Sequence, residues 1–204
     1  PPSTAGSLVN IALTLSGRVA INLNYSAGDA GVQSALKQAD IKTILTSKLF
    51  LKKAAIKPVG CNLIYLEEIF RKSSPVKRML SWFSARLLPA RFLLKNAAQQ
   101  SDEMATIIFS SGSTAEPKGV MLSHANILSN VDALNMVFSV DSDDNVCGIL
   151  PFFHSFGYTG TLWFPLLSGF SAVYHPSPLE SKQVVAAIRA FKSSFLLATP
   201  AFLS

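Results

Sequence analysis

The chain has 204 residues, enough for one large domain or for part of a longer protein. Hydrophobic residues make up 49% of it, which predicts a substantial buried core, whereas charged residues make up only 15%, which is low for a soluble domain. The low charge suggests surfaces that are covered by a partner, a membrane or further chain. The net charge is +6, but no recognised nucleic-acid-binding motif accompanies it, so nucleic acid is disfavoured as a partner.

The two cysteines and the chain ends point to a reducing compartment and to a longer parent protein. Cys61 and Cys147 lack the spacing of a metal or redox site, so we expect two buried thiols in the cytoplasm. The start at Pro1 has no basic region of the kind that opens a signal peptide. Both ends resemble cuts, and we therefore expect the chain to be a fragment.

Helices and strands are predicted to alternate along the chain. In chain order the pattern predicts a helix over Leu8–Ser16, a strand over Arg18–Leu23, a turn at Asn24–Gly28, a helix from Asp29 through Gln38, and strands over Ile41–Leu45 and Asn62–Leu66. After a basic segment it predicts strands over Ala105–Phe109 and Gly119–Leu122, a helix from about Ala125 to Val137 capped by Ser123, a strand over Val146–Leu150, a helix over Gly157–Leu167, a strand over Ala172–Tyr174, a helix over Glu180–Phe191 and a strand over Phe195–Ala198. This alternation predicts an α/β fold with parallel β-sheets flanked by helices.

The segment from Arg71 to Lys95 is basic and contains no acidic residue. Large apolar residues interleave with its cations, and much of the pattern fits an amphipathic helix that Pro89 interrupts. The cations are Arg71, Lys72, Lys77, Arg78, Arg86, Arg91 and Lys95. Two interpretations remain open. We favour a helix that packs on the domain and leaves a solvated basic face, and the alternative is a helix that docks on anionic lipid or on an acidic protein.

A long uncharged stretch runs from Asn145 to Leu179 and contains no Lys, Arg, Asp or Glu. It is long enough to raise the question of a transmembrane helix. Several prolines and glycines interrupt it, as does His154, so we expect a buried strand–helix–strand unit instead.

The run from Phe109 to Val120 is the most informative about function and reads Phe-Ser-Ser-Gly-Ser-Thr-Ala-Glu-Pro-Lys-Gly-Val. Glycine lets backbone N–H groups surround a phosphate, Ser and Thr add short donors, and Lys118 adds a positive charge. The Walker-type loop is disfavoured because five residues separate Gly112 from Lys118 and because Pro117 precedes the lysine. The run therefore predicts a polyphosphate-binding loop of another type, with an ordinary Ser/Gly-rich turn as the alternative.

This run resembles the phosphate loop of the adenylate-forming superfamily, whose pattern is an aromatic residue, Thr-Ser-Gly-Ser-Thr-Gly, any residue and Pro-Lys-Gly. The chain departs from it at Ser110, where Thr is usual, and at Ala115, where Gly is usual. The Cβ of Ala115 is unfavourable if the backbone there requires a positive φ. The resemblance implies ATP and Mg²⁺ as cofactors. The implied ATP-binding residues are Ser110, Ser111, Gly112, Ser113, Thr114, Lys118 and Gly119, and Ser110 matches the hydroxyl that helps ligate Mg²⁺ in some relatives.

A second motif, Leu-Pro-Phe-Phe-His-Ser-Phe-Gly at residues 150–157, follows a predicted strand and opens a predicted helix. A lone histidine among aromatic residues is more often a packed core residue. The superfamily has a Leu-Pro-x-Phe-His-x-x-Gly element at this distance after its phosphate loop, and the resemblance implies that His154 lies near the acyl carboxylate. Because a carboxylate that attacks an α-phosphate brings two anions together, His154 and Lys118 are predicted as the catalytic residues.

Scattered segments resemble one branch of the superfamily, the bifunctional acyl-acyl-carrier-protein synthetases/2-acylglycerophosphoethanolamine acyltransferases. These segments are Ala20–Gly28, Ile41–Ser47, Pro151–Tyr158 and Tyr174–Leu179. The resemblance implies activation of a fatty acid to an acyl-adenylate, transfer to the phosphopantetheine thiol of acyl carrier protein or to coenzyme A, and onward transfer to a lysophospholipid. It also implies a cytoplasmic protein that associates with the inner membrane, and the basic segment is a candidate for contact with an anionic membrane surface.

Later elements of the superfamily do not occur in the 204 residues, among them the Tyr-Gly-x-Thr-Glu segment and the mobile C-terminal domain. We therefore expect residues 1–204 to be a fragment of the AMP-binding N-terminal domain that is at best weakly active alone. Two other classes stay open. One is a non-catalytic nucleotide- or lipid-binding module, of which Ala115 would be the sign. The other is a serine hydrolase that uses His154, although a Gly-x-Ser-x-Gly elbow is lacking.

Overall fold

A computed structural model of the chain describes residues 1–94, 100–110 and 117–202, without the side chains of Phe70, Arg91 and Ala201. The helices are α1 (Thr4–Leu15), α2 (Gly28–Gln38), α3 (Lys48–Ala54), α4 (Leu66–Lys72), α5 (Pro75–Leu87), α6 (Ala90–Leu93), α7 (His124–Val137), α8 (Ser155–Gly157), α9 (Phe164–Ser168) and α10 (Ser181–Phe191). The strands are β1 (Thr43–Thr46), β2 (Asn62–Tyr65), β3 (Met104–Ser110), β4 (Lys118–Ser123), β5 (Asn145–Gly148), β6 (Ser171–Tyr174) and β7 (Phe195–Leu197). Single turns of 3₁₀ helix lie at Tyr25–Ala27 and Pro200–Phe202, and a π-helical segment (Tyr158–Trp163) joins α8 to α9.

The described strands form three small sheets. β1 pairs with β2 in parallel, and β5 lies between β6 and β7 in a second parallel sheet. These two sheets and the surrounding helices confirm the predicted α/β fold. β3 and β4 instead pair antiparallel. The reason is the length of their connection, because only residues 111–117 separate them, whereas a parallel connection needs about a dozen residues or more.

The main hydrophobic core surrounds the π-helical segment. Tyr158, Leu162 and Phe164 pack there against residues of β3 and against Val146 of β5. The uncharged stretch therefore forms the expected buried strand–helix–strand unit, made of β5, the helical residues 155–168 and β6. Within the described residues no helix is both long enough and apolar enough to cross a membrane.

The predicted strand over Arg18–Leu23 is wrong as a paired strand. The segment makes a single parallel bridge, between Ala20 and Thr106 of β3, and the Thr106 hydroxyl donates to the Ala20 carbonyl at 2.5 Å. The backbone groups of residues 21–23 form no hydrogen bond with another described residue. A sequence pattern typical of a strand does not specify which neighbouring strand it will pair with. Here the segment forms only the bridge to Thr106.

The basic segment forms α4, α5 and α6, and α5 ends before Pro89 as expected. The interpretation that we favoured, a helix packed on the domain, is wrong. No residue of α5 is buried, and its apolar residues are exposed together with its basic ones.

The two thiols differ in exposure, which corrects the expectation that both are buried. Cys61 is only half-buried, whereas Cys147 lies in β5 with 0% of its surface exposed. Burial raises the pKa of the Cys147 thiol because it disfavours the thiolate.

We expect iodoacetamide at pH 8 to alkylate Cys61 and to leave Cys147 unmodified, since the thiolate is the reactive form. Mass spectrometry of tryptic peptides checks this, with urea-unfolded protein, in which both should react, as the control. Rapid native labelling of Cys147 would contradict the described burial.

Candidate functional site

The two ends of the predicted phosphate loop are held by the β3–β4 hairpin. Ser110, the last residue of β3, lies opposite Lys118, the first residue of β4, and its hydroxyl donates to the Lys118 carbonyl at 3.4 Å. Both side chains are exposed. The hairpin therefore presents a hydroxyl and an ammonium group side by side where the loop leaves the sheet. Residues 111–116, which include the predicted ligands Ser111, Gly112, Ser113 and Thr114 and also Ala115, lie outside the described residues.

Gly119 and Gln38 position the second end of the loop. Gly119 lies opposite Phe109, and a Cβ added to it would lie 3.0 Å from the Ile107 side chain and 3.2 Å from the Phe109 ring. The Gln38 amide, at the end of α2, donates to the Pro117 carbonyl at 2.9 Å. Sequence reasoning did not identify Gln38, because the contact joins residues 79 positions apart and no local pattern marks it.

The second motif forms a tight turn between β5 and α8. The His154 N–H donates to the Pro151 carbonyl at 3.1 Å, and the Tyr158 N–H donates to the His154 carbonyl at 2.8 Å. The imidazole is exposed at the start of α8 and lies beside the Phe153 ring, with 4.6 Å between the ring centroids. The backbone of His154 is thus fixed while its side chain faces solvent. It is not the packed core histidine that a lone residue would suggest.

Gly157 is required by the close approach of two backbone segments in this turn. A Cβ at this position would lie 2.3 Å from the Pro151 carbonyl oxygen and 2.8 Å from that of Leu150. Its φ of −66° and ψ of −42° are ordinary helical values, so the conformation itself does not require glycine. The absence of a side chain is what lets α8 begin directly against the 150–151 backbone.

An aromatic contact joins this turn to the N-terminal part of the chain. Tyr25 packs edge-to-face on Phe153, with ring centroids 5.0 Å apart, and edge-to-face on Phe50 of α3 at 5.1 Å. Such pairs contribute about 0.5–1.5 kcal/mol beyond the area they bury. Burial also raises the pKa of Tyr25. The contact with Phe153 gives Tyr25 a packing role next to His154.

The hairpin and the histidine turn rest on the same core. Ile108 of β3, two residues before Ser110, and Phe152, two residues before His154, belong to one buried cluster. The structure therefore brings Ser110, Lys118 and Gly119 together at the hairpin end and anchors His154 to the same packed scaffold.

A cavity of about 990 Å³ lies between α1, the 18–25 segment, β1 and the rings of Phe152 and Phe153. Its walls are mostly apolar, but they include the unpaired backbone of residues 21–23 and the edge of β1 that pairs with no described strand. An alkyl chain in this cavity would leave backbone N–H and C=O groups without partners, which is unfavourable.

The hairpin end can hold Mg²⁺ only together with the phosphates of a bound substrate. Among the described residues no three His, Cys, Asp or Glu side chains cluster as a metal site. Mg²⁺ commonly keeps several waters and is held by one or two protein oxygens together with substrate phosphates. The exposed hydroxyl of Ser110 can supply such an oxygen, and its role as a metal ligand stays a prediction.

The family model for AMP-binding enzymes matches residues 3–204, nearly the whole chain. The chain belongs to the AMP-binding enzyme family. This membership covers both the hydroxyl-rich run and the histidine turn, because both lie within the matched residues. It disfavours the hydrolase interpretation, and the His154 ring also forms no hydrogen bond with any described serine.

Two curated relatives are fatty-acid ligases that use different thiol acceptors. The chain is 36% identical over 87 residues to a long-chain-fatty-acid–CoA ligase of Bacillus subtilis, covering 41% of this chain and 16% of the relative. It is 37% identical over 68 residues to a medium-chain-fatty-acid–[acyl-carrier-protein] ligase of Teredinibacter turnerae, covering 33% of this chain and 11% of the relative. The chain thus spans less than a fifth of the length of either relative.

Solved structures of adenylate-forming enzymes share the fold. The O-succinylbenzoate coenzyme A synthetase of Bacillus subtilis, in complex with ATP and magnesium, has a TM-score of 0.73 at 19% identity, over 97% of this chain and 38% of that one. The N-terminal domain of FACL13 from Mycobacterium tuberculosis has a TM-score of 0.76 at 20% identity, over 100% of this chain and 49% of that one. The described fold is therefore that of part of the N-terminal domain of these enzymes.

Proposed function

We propose that the full-length protein activates a fatty acid with ATP, forms an acyl-adenylate and transfers the acyl group to a thiol. The observation that carries this proposal is the pairing of Ser110 with Lys118 at the hairpin end, on the same core as the exposed His154. A hydroxyl and a cation at the loop ends suit a polyphosphate, and a separate imidazole suits a second anion. The similarity to fatty-acid ligases supports the choice of acid.

The first step joins two anions, the carboxylate and ATP, and the residues of the site lower the repulsion between them. A carboxylate oxygen attacks the α-phosphorus of ATP, the bond from that phosphorus to the bridging oxygen breaks, and pyrophosphate leaves. Lys118 and the loop hydroxyls hold the β- and γ-phosphates, and the Ser110 hydroxyl would help to hold Mg²⁺, which would supply further positive charge there. His154 donates a hydrogen bond to the carboxylate, which offsets the repulsion as the new P–O bond forms.

The second step transfers the acyl group to sulfur. The thiol sulfur of a phosphopantetheine group attacks the acyl carbon, AMP leaves with its oxygen, and the thiol proton passes to solvent. We propose acyl carrier protein as the acceptor, as the branch resemblance implies, and a lysophospholipid as the final acceptor in the longer protein. Coenzyme A is the second candidate, and the Bacillus subtilis relative favours it.

Fatty-acid-dependent ATP–pyrophosphate exchange by the full-length protein tests the first step. Exchange that requires both Mg²⁺ and a fatty acid supports the proposal, whereas ATP binding without exchange for any fatty acid overturns it in favour of a non-catalytic module. A radiolabelled fatty acid offered together with coenzyme A and holo-acyl carrier protein then identifies the acceptor. Residues 1–204 alone should show weak exchange at best.

We expect His154→Ala to lower the exchange rate about 10- to 100-fold, because one preformed donor to the reacting carboxylate is lost. His154 is exposed, so the melting temperature should stay within about 1–2 °C of the wild type. Exchange assays at saturating ATP and differential scanning fluorimetry measure the two effects. Ser155→Ala, next to it and also exposed, is the control. An unchanged exchange rate in His154→Ala would remove the residue from the mechanism.

A further inference from the structure

The unburied helix α5 has a continuous apolar face. Five large residues recur along it at helical spacing, and each of them keeps between 46% and 73% of its surface exposed. They are Val76, Met79, Leu80, Phe83 and Leu87. The exposed Trp82 borders this face and packs edge-to-face on Phe83, with 5.0 Å between the ring centroids. Exposed apolar patches of this kind mark interaction sites.

Uncompensated cations flank the apolar face. By helical position Lys77 lies on one side of it and Arg86 on the other, with Arg78 beyond Arg86. No acidic residue occurs between Glu68 and Asp102 in the sequence. Glu68 itself is engaged by Lys48 at 2.9 Å and by Lys72 at 3.8 Å. The three cations of α5 form no ion pair with a described residue.

We propose that α5 lies flat on an anionic lipid bilayer, with its apolar face in the acyl boundary, Lys77 and Arg86 on the headgroups, and Arg78 adding to the positive field of the helix. A covering protein surface would have to supply both an apolar groove and separate carboxylates on its two sides. An anionic bilayer supplies both from one continuous surface. The 13 residues of α5 make a helix about 20 Å long, which suits an interfacial position. Trp82 at the edge of the face suits the boundary between headgroups and acyl chains.

This surface is distinct from the hairpin and the histidine turn, so the proposal does not depend on the proposed reaction. Membrane contact gives a function to α5, which takes no part in the proposed reaction. A fatty acid and a lysophospholipid both partition into bilayers, so contact with a membrane would bring the enzyme to its substrates.

Sedimentation of the full-length protein with vesicles tests the proposal. We expect vesicles of phosphatidylglycerol and phosphatidylcholine to bind it about 100-fold more tightly than vesicles of phosphatidylcholine alone. Combined Lys77→Glu, Arg78→Glu and Arg86→Glu substitutions should lower this binding about 100-fold or more. Combined Lys52→Glu, Lys53→Glu and Lys57→Glu substitutions change the net charge equally at exposed positions elsewhere and should leave binding nearly intact. Equal loss in both triple variants would overturn the proposal.

Fluorescence reports the position of α5 itself. The difference between the wild-type spectrum and that of Trp82→Phe isolates Trp82, and its emission should shift to the blue on anionic vesicles. Phe83→Ser with Leu87→Ser should weaken vesicle binding about 10-fold or more, since both lost side chains are apolar. A Trp82 shift with acidic carrier protein and none with vesicles would overturn the proposal in favour of protein docking. ATP–pyrophosphate exchange in lipid-free solution should be unchanged in all these variants, which separates this outcome from failure of the proposed reaction.

Discussion

Lys118→Ala should lower fatty-acid-dependent ATP–pyrophosphate exchange by the full-length protein at least about 100-fold, corresponding to about 3 kcal/mol of lost transition-state stabilisation. The ammonium group stands at the start of β4 next to Ser110, where the hairpin releases the phosphate loop. Removing it takes away the cation that we propose neutralises the charge developing on the pyrophosphate leaving group. The folded state should be little affected, because the side chain is exposed.

Lys182→Ala is the matched control for this loss. Lys182 is also an exposed lysine, on α10, and has no place in the hairpin. The two variants therefore change the net charge equally and differ only in position. Equal exchange rates in both would show that Lys118 does not act at the phosphates, and Ser110 and Gly119 would then be the remaining described candidates at the loop ends.

Gly157→Ala should destabilise the protein by about 3 kcal/mol or more, at the upper end of the usual cost of overpacking. The added Cβ would lie 2.3 Å from the Pro151 carbonyl oxygen. The Cβ is bonded directly to the backbone and the carbonyl is part of it, so rotation of a side chain cannot relieve the clash. For a domain of about 200 residues this predicts a fall in melting temperature of about 6–12 °C. Exchange activity should fall as well, because the displaced turn carries His154.

Gly169→Ala separates the clash from other effects of losing a glycine. Gly169 ends α9 with a φ of +80°, and a Cβ there would meet nothing within 4 Å. Its substitution should cost only about 1 kcal/mol, the penalty for a left-handed backbone. Differential scanning fluorimetry on both variants measures the difference. If Gly157→Ala proved as mild as Gly169→Ala, the 150–157 turn would have to be looser than described.

Local patterns predicted most of the elements that carry the site. Strands at Ala105–Phe109 and Gly119–Leu122 and the cap at Ser123 are confirmed as β3, β4 and the start of α7. These predictions succeeded because apolar runs and capping residues act over a few positions. The helix predicted from Leu8 begins earlier, at Thr4, because Ser3 caps it by accepting a hydrogen bond from the Gly6 N–H at 3.1 Å.

Contacts between distant residues were beyond sequence reasoning. Tyr25 meets Phe153, and Gln38 meets Pro117, across stretches of chain in which no local pattern links the partners. The segment at residues 18–23 was wrongly predicted as a paired strand, since pairing depends on a strand edge that only the assembled sheets provide.

The sequence by itself determined which candidate site residues this protein carries and in what order. The hydroxyls, glycine and lysine around Lys118 and the Leu-Pro-x-Phe-His-x-x-Gly turn are properties of consecutive residues. The tertiary structure decided where that chemistry stands and what surrounds it. It decided that β3 and β4 form a hairpin on the core that also holds the histidine turn. It also decided that α5 remains uncovered. An amphipathic pattern states that one face must be buried, but only packing decides whether the domain itself or another surface buries it.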